Sequence, residues 1–234
     1  MQKISFNDKF GLTDLVLSGK KTQTRRIEKS LLPLQTKEIK GQRYKFLDDE
    51  YKRVTDDLRY LDTAAPDMYG VIVRTTDEKL LEFKPQYRMG EVVAVAMSYK
   101  SIYEKVAKTW EYAEEYKREY ENLAGWNNKM FVRPELMLHS IKITNIRIER
   151  LQDINDEDCL AEGIKEVEVS NNWGNSATHT EYSITYYNAK ALSKQLVSRK
   201  CPQEVYAALI DKINGKGTWA SNPYVFVYDF ELVK

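Results

Sequence analysis

The sequence contains little cysteine and little histidine, and it lacks any long apolar run. Cys159 and Cys201 are its two cysteines, and with no apolar secretory segment ahead of them they favour reduced thiols in a cytoplasmic protein. Because no run of roughly 18 apolar residues occurs, we expect no membrane-spanning helix. His139 and His179 have no ligand-type residue at metal-site spacing, so we expect no metal. A glycine-rich dinucleotide fingerprint is also missing, and we expect no cofactor.

An excess of charge of one sign is lacking as well. The chain has 36 Lys and Arg against 35 Asp and Glu, a net charge of +1 over 234 residues. A protein that binds a polyanion over its whole surface would be far more basic, so any nucleic-acid contact is expected to be a local patch. The hydrophobic fraction of 42%, arranged in periodic runs, predicts a folded chain. We expect a single domain over residues 1–234, with an insert at about 41–85.

The apolar periodicity predicts an α+β fold. Strands are expected near Ile4 and Phe6, at 20–27, 90–96, 140–151 (irregular near Asn145) and 224–233, and as a hairpin of 69–75 with 79–83. Helices are expected at 11–18, 103–123, 156–162, 189–198 and 202–213. The stretches at about 103–123 and 189–213 are interpreted as helical additions to the domain, and 167–188 carries no clear pattern.

A basic run that contains threonine follows the first expected helix. From position 20 to position 26 it holds four cations and two hydroxyls, and Gly19 precedes it. Forked arginine donors, lysine charges and short hydroxyls suit a phosphate or an electron-rich base edge. The residues of this run that we interpret as ligand-binding are Lys20, Thr22, Arg25 and Arg26. A solvated edge strand is the alternative interpretation.

A short acidic helix near the middle of the chain supplies a second candidate. Asn155 is expected to cap it, acidic residues occupy its first turn, and Gly163 ends it. Glu162 lies in the last turn, where the helix dipole disfavours an anion by about 0.3–1 kcal/mol. This carboxylate therefore has either a salt-bridge partner or a role in a site that faces the basic run.

The turn before the last strand is the third candidate. An Asn-Pro pair, which contains Asn222, introduces an apolar strand. Trp219 precedes this pair and Tyr224 follows it. The two aromatic rings are suited to stack on a base, and we include the three residues among the ligand-binding candidates. Plugging the end of a barrel is the other role for such rings.

Taken in order, several segments resemble the ASCH family. They are the run Gly19–Arg26, the strand entry Tyr87–Val93, the stretch Ile143–Ile154 and the ending Leu160–Ile164. The tail Trp219–Val225 is similar to a larger subgroup that is common in phage and prophage genomes. These segments are distributed along the chain between positions 19 and 225.

The resemblance implies a PUA-like mixed β-barrel with surrounding helices, and a cleft that binds RNA. A compact bacterial branch of the family hydrolyses the acyl amide of N4-acetylcytidine with a lysine, a threonine and a glutamate. Those positions fall on Lys21, Thr24 and Glu162, which the resemblance therefore implies as catalytic. In a regular strand Lys21 would point away from Thr24, so the chain must bend after Gly19 for the two to meet.

Three functions remain open at this stage. The leading expectation is binding of RNA, a nucleotide or a modified nucleoside in a basic cleft. The second is hydrolysis of the amide of an N4-acylated cytidine-like nucleoside. The third is a protein-interaction module that uses the tyrosine-rich helix at 103–123, because tyrosine is enriched at such interfaces.

Overall fold

A computed structural model describes residues 1–28, 31, 38–39, 42–43, 71–74, 80–83, 85–170, 178–187, 193–198 and 200–233. Most of the expected insert at 41–85, including the turn between the two strands of its hairpin, lies outside these residues. Within them the chain forms a mixed α+β structure with two main sheets and two short hairpins. None of the helices in these ranges is long and apolar enough to cross a membrane.

The elements follow one another along the chain without internal repetition. The strands are β1 (Lys3–Ile4), β2 (Gln23–Arg26), β3 (Glu38–Ile39), β4 (Gln42–Arg43), β5 (Val71–Arg74), β6 (Leu80–Phe83), β7 (Val92–Val95), β8 (Ser140–Arg150), β9 (Lys165–Ser170), β10 (Thr178–Tyr187), β11 (Ser193–Ser198) and β12 (Tyr224–Leu232). The helices are α1 (Leu12–Leu17), α2 (Tyr99–Val106), α3 (Ala113–Tyr120), α4 (Asp156–Ala161), α5 (Pro202–Asn214) and α6 (Thr218–Ser221).

The larger sheet has five strands in the order β1-β7-β8-β12-β2. Strand β1 runs parallel to β7, and the other neighbours are antiparallel. The long pair β8–β12 shifts register between Asp229 and Phe230, opposite Asn145 and Ile143. This is the irregularity that was expected near Asn145, and it bends the sheet locally.

The α+β prediction is confirmed, but the described strands do not close into a barrel. The outer strands β1 and β2 share no backbone ladder in this part of the chain. A side chain spans the gap instead, because Arg26 Nη2 donates to the carbonyl oxygen of Ser5 at 2.7 Å. The two edges of the sheet are therefore close together without being paired.

The main core lies between the large sheet, α1, α5 and the three-stranded sheet β11-β10-β9. Its centre is the fully buried stretch 225–228 of β12. A second apolar cluster packs under α2 and α3, around Tyr99, Ile102 and Tyr120. Full burial of such large side chains provides most of the stabilisation, about 1.5–3 kcal/mol for each.

Two helix predictions are wrong. The expected helix at 103–123 is two helices, α2 and α3, separated by a turn at 107–112. Tyr120 packs against Tyr99 with the ring centroids 4.8 Å apart, so α3 folds back onto α2. In the stretch 189–198, the described residues 193–198 form strand β11, since pairing with β10 outweighs helix propensity there.

The remaining element predictions are confirmed within a few residues. They are β1, α1, β2, the hairpin β5–β6, β7, β8, α4, α5 and β12. The stretch without a clear pattern contains β9 and β10, which pair antiparallel. Polar and hydroxyl-bearing residues dominate this stretch, so its sequence shows no clear apolar alternation from which a strand could be predicted.

Candidate active site

The bend after α1 sets the direction of Lys21. Gly19 has a φ of 70°, which is the left-handed conformation that glycine adopts at helix ends. The backbone amides of Lys20 and Lys21 both donate to the carbonyl of Leu15, at 2.9 and 3.0 Å. Strand β2 begins only at Gln23. Lys21 therefore precedes the strand, is free of its alternation, and is 2% exposed.

The end of α4 brings Glu162 to the same place. Asn155 caps this helix through its side chain, as expected, and Glu162 is the C-terminal cap residue. Thr22 N donates to the carbonyl of Ala161 at 2.9 Å, which joins the start of β2 to the end of α4. Gly163 continues with a φ of 105°. The two motifs that lie 141 positions apart thus meet through the backbone.

Lys21 and Glu162 form a buried ion pair. Lys21 Nζ lies 2.5 Å from Glu162 Oε2 and also donates to the Glu162 carbonyl at 2.9 Å. Glu162 Oε1 accepts from the backbone amide of Arg25 at 2.6 Å and from the Tyr206 hydroxyl at 3.4 Å. The exposed fractions of the two charged side chains are 1% and 6%. The geometry fits a group that exchanges a proton with its partner.

The pKa of Lys21 is lowered from its usual value. Burial is the main cause, because a charged ammonium loses its hydration there, and Glu162 opposes the effect by charge and hydrogen bonding. The charges of Arg26 and Arg25 lower the pKa of Lys21 further. The buried Lys21 amine therefore gives up its proton more readily than it would in water.

Thr24 and Arg26 lie on one face of β2, opposite Tyr228 and Phe226 of β12. The Thr24 hydroxyl makes no hydrogen bond to any residue of the described ranges. Lys21 Nζ and the Arg26 guanidinium both lie near the ring of Phe6, at 6.0 and 5.8 Å from its centroid. The side chain of Lys21 therefore reaches the side on which Arg26 lies, as the expected bend after Gly19 would require.

The opposite face of β2 carries an ion-pair network. Arg25 Nη2 lies 2.5 Å from Asp158 Oδ2 and 3.0 Å from Glu149 Oε2, and the arginine side chain is 0% exposed. Gln23 donates to Asp158 at 2.9 Å and to Asp229 at 2.7 Å. Although burial opposes it, the hydrogen bond from Gln23 and the charge of Arg25 lower the pKa of Asp158. Arg25, interpreted from sequence as ligand-binding, is therefore held by carboxylates.

The other predicted ligand-binding residues of the run lie at the surface. Lys20 and Thr22 are exposed. Arg26 is partly exposed, with one hydrogen bond to Ser5. The cations of the basic run therefore differ in their surroundings. Lys20 is exposed and Lys21 is buried in the ion pair, whereas Arg25 is held by carboxylates and Arg26 is half-buried.

The three candidates of the C-terminal turn have contacts of their own. Asn222, at a φ of 43°, accepts the amide of Gln152 at 2.8 Å. Tyr224 packs under the guanidinium of Arg150 at 3.7 Å. Trp219 meets Tyr206 edge to face at 6.2 Å, which is its one link toward the Lys21–Glu162 pair among the described contacts. These side chains fix the turn against the end of β8.

Sequence reasoning missed three residues near the pair. Tyr206 is one of several apolar positions on α5, and Phe6 reads as an ordinary strand residue, so neither gave a separate signal. Glu28 follows β2 and accepts the Tyr228 hydroxyl at 2.5 Å and the amide of Gln86 at 3.1 Å. Burial raises the pKa of Glu28, with the Tyr228 hydrogen bond opposing. Strand alternation offered one clue to Glu28, because a residue two positions beyond Arg26 would share its face.

The described residues contain no group of three or more His, Cys, Asp or Glu that could hold a metal ion. Comparisons with protein-family models, with curated proteins and with solved structures find no match to this chain. The interpretation of the site therefore depends on its geometry and on the motifs of the sequence.

Proposed function

We infer that this chain is an ASCH-type protein with a PUA-like fold, and that Lys21 and Glu162 hydrolyse the exocyclic amide of an N4-acylated cytidine-like nucleoside. The observation that carries the inference is the buried Lys21–Glu162 pair, together with a Thr24 hydroxyl that makes no hydrogen bond within the described residues. A lysine, a threonine and a glutamate in this motif order are the catalytic set of the family branch that the sequence resembles.

Two features support the PUA-like fold as part of this proposal. The five-stranded sheet curves so that Arg26 bridges its outer edges, which is a geometry close to that of a small barrel. The short α1 packs its buried residues Leu12 and Val16 on the same core. The site then lies between the end of α1 and the end of α4.

The chemistry follows from the pair. A neutral Lys21 amine, favoured by the lowered pKa, takes a proton from water while the water oxygen attacks the acyl carbon. The Thr24 hydroxyl orients this water or the acyl oxygen. Lys21 passes this proton to the Glu162 carboxylate, 2.5 Å away, and Glu162 delivers it to the amide nitrogen as the carbon–nitrogen bond breaks. Water and amide become a carboxylic acid and a free amine, so atoms and protons balance.

Substitutions that preserve shape provide the test. Purified protein is incubated with a panel of N4-acylated cytidines, and free cytidine is followed by chromatography. Thr24→Val keeps the side-chain shape and breaks no hydrogen bond within the described residues, so it should keep its melting temperature and lose turnover by about 10²–10⁴-fold. Thr178→Val, an exposed change of the same kind on β10, is the matched control and should keep turnover. Absence of turnover by the folded wild-type protein on every substrate would refute the hydrolase.

Binding of a nucleotide or short RNA without chemistry is the second candidate. Its supporting observation is the exposure of Lys20 and Thr22 at the start of the run. Because Arg25 is neutralised by Glu149 and Asp158, few cations remain for phosphates. The affinity for RNA should therefore fall weakly with salt, with a log–log slope of about −1 to −2. Fluorescence anisotropy of a labelled oligonucleotide between low and moderate salt measures this slope.

A further inference from the structure

Two consecutive arginines have very different surroundings. The Arg25 side chain contacts three carboxylates within 4 Å. Arg26, the next residue, points to the other face of β2 and has no carboxylate at salt-bridge distance among the described residues. Its one hydrogen bond there is from Nη2 to the carbonyl of Ser5 at 2.7 Å.

The donors of Arg26 are incompletely used. Its Nε is buried and has no hydrogen-bond partner. Its Nη1 has no partner within the described residues and belongs to a side chain that is partly exposed to solvent. A half-buried guanidinium with no carboxylate at salt-bridge distance in the described ranges is costly to retain, since buried charges in proteins are normally paired. A ligand oxygen would satisfy the donors that the protein leaves unused.

The position of Arg26 connects it to the pair. Its guanidinium and Lys21 Nζ lie 5.8 and 6.0 Å from the centroid of the same Phe6 ring. Its charge affects the pKa of Lys21 on one side and of Glu28 on the other. Arg26 is partly exposed, so a ligand that enters from solvent can reach its guanidinium.

The local charge decides which kind of oxygen fits. The two cations already have carboxylates near them, because Glu162 pairs with Lys21 and the charge of Arg26 acts on Glu28. Glu28 is fixed by the Tyr228 hydroxyl at 2.5 Å. A phosphate would be repelled by these two carboxylates, whereas a neutral carbonyl oxygen can accept from Arg26 without that repulsion.

We propose that Arg26 anchors the base of the ligand by donating to the ring carbonyl oxygen of a pyrimidine next to the Lys21–Glu162 pair. This step rests on the proposed function, because it assigns the orientation of the same substrate. It makes Arg26 the residue that recognises the base, with the acyl amide directed toward Thr24 and no phosphate required.

The test compares enzyme variants and substrates in a cycle. Turnover is measured for N4-acetylcytidine and for its analogue that lacks the ring carbonyl oxygen, with wild-type protein, Arg26→Gln and Arg26→Lys. Arg118→Gln, an exposed change of the same kind on α3, is the matched control. Melting temperatures establish which variants fold. Arg26→Lys retains a cation that can still reach the Ser5 carbonyl, and it serves if Arg26→Gln is unfolded.

The expected result is a loss that depends on the substrate. The variants of Arg26 should lower kcat/KM for N4-acetylcytidine by about 10- to 100-fold, mainly through KM, as for the loss of a charged hydrogen bond. On the analogue, the same variants should change kcat/KM by less than about threefold, because the partner atom is already gone. Equal losses on both substrates, or no loss on either, would overturn the assignment.

Equilibrium binding separates this inference from the hydrolase proposal. Binding of cytidine is measured by calorimetry for the wild type and the Arg26 variants. If the wild-type protein binds cytidine in an Arg26-dependent manner without turnover, the hydrolase proposal fails and the anchoring role stands. If turnover occurs but ignores Arg26, the reverse holds. Cytidine binding that does not depend on Arg26, or no cytidine binding and no turnover, overturns the anchoring role.

Discussion

Removal of Lys21 is the most informative perturbation of stability. Glu162 is 5% exposed, and in Lys21→Met its carboxylate would lose the closest of its donors, at 2.5 Å. Breaking a buried ion pair on one side costs about 3–5 kcal/mol. Glu162 would keep the Arg25 amide at 2.6 Å and the Arg25 guanidinium at 3.6 Å. We therefore expect Lys21→Met to lower the free energy of unfolding by about 3 kcal/mol, the lower end of that range.

The double variant Lys21→Met/Glu162→Gln tests the cause of that loss. Its neutral amide can still accept from the Arg25 backbone, and no uncompensated charge remains. It should therefore be more stable than Lys21→Met alone, although it carries one more substitution. Denaturant unfolding followed by circular dichroism gives the free energies. A loss below about 1 kcal/mol in Lys21→Met, with no recovery in the double variant, would refute the buried-pair reasoning.

The lowered pKa of Lys21 adds a pH dependence with a defined sign. The folded protein holds this pKa below 10.5, so the unfolded chain binds more protons between the folded and unfolded values. The stability that Lys21 contributes is therefore complete above pH 10.5 and is lost as the pH falls through its folded pKa. The wild-type protein should gain stability over Lys21→Met as the pH rises toward 10. A constant difference between pH 7 and 10 would contradict this sign.

Three further outcomes are expected. Gly163→Ala should lower the melting temperature more than Gly11→Ala, because its φ is 105° and its new Cβ would lie 2.9 Å from a leucine methyl carbon, whereas nothing lies within 4 Å at Gly11. Burial raises the pKa of Cys159 from 9.0 to about 12, so this thiol should react with a thiol reagent at pH 8 only after unfolding. Cys201 is partly exposed and should react first. Equal reaction rates of the two cysteines in the native protein would contradict this. Arg25→Gln should destabilise by about 1.5–3 kcal/mol, because three carboxylates lose a buried partner while Arg147 and Lys21 still pair with them, and a change within about 0.5 kcal/mol in urea unfolding would contradict it.

The element boundaries show where local signals were sufficient. Helix α4 has its cap at Asn155, acidic residues in its first turn and Gly163 at its end, and each of these acts within a few residues. Strand β8 alternates clearly enough to reveal its bulge. The single helix predicted over 103–123 was wrong, because Tyr120 of α3 packs on Tyr99 of α2. Apolar periodicity does not report such a contact between two helices.

The candidate site divides in the same way. Lys21, Thr24 and Glu162 came from motif order, and the ion pair between the first and last of them is visible in the structure. Alternation already places Arg25 and Arg26 on opposite faces of β2. Their roles could not be assigned in advance, because the sequence does not show which face meets the carboxylates of Glu149 and Asp158.

Local propensity and alternation were enough to predict the α+β class and most of the elements, and the motifs with their family resemblance indicated the candidate site residues. The contact of Glu162 with Lys21, the carboxylates around Arg25 and the unused donors of Arg26 within the described residues became visible in the folded chain alone. Burial and charge compensation arise when segments more than a hundred positions apart meet, and no local pattern carries that information.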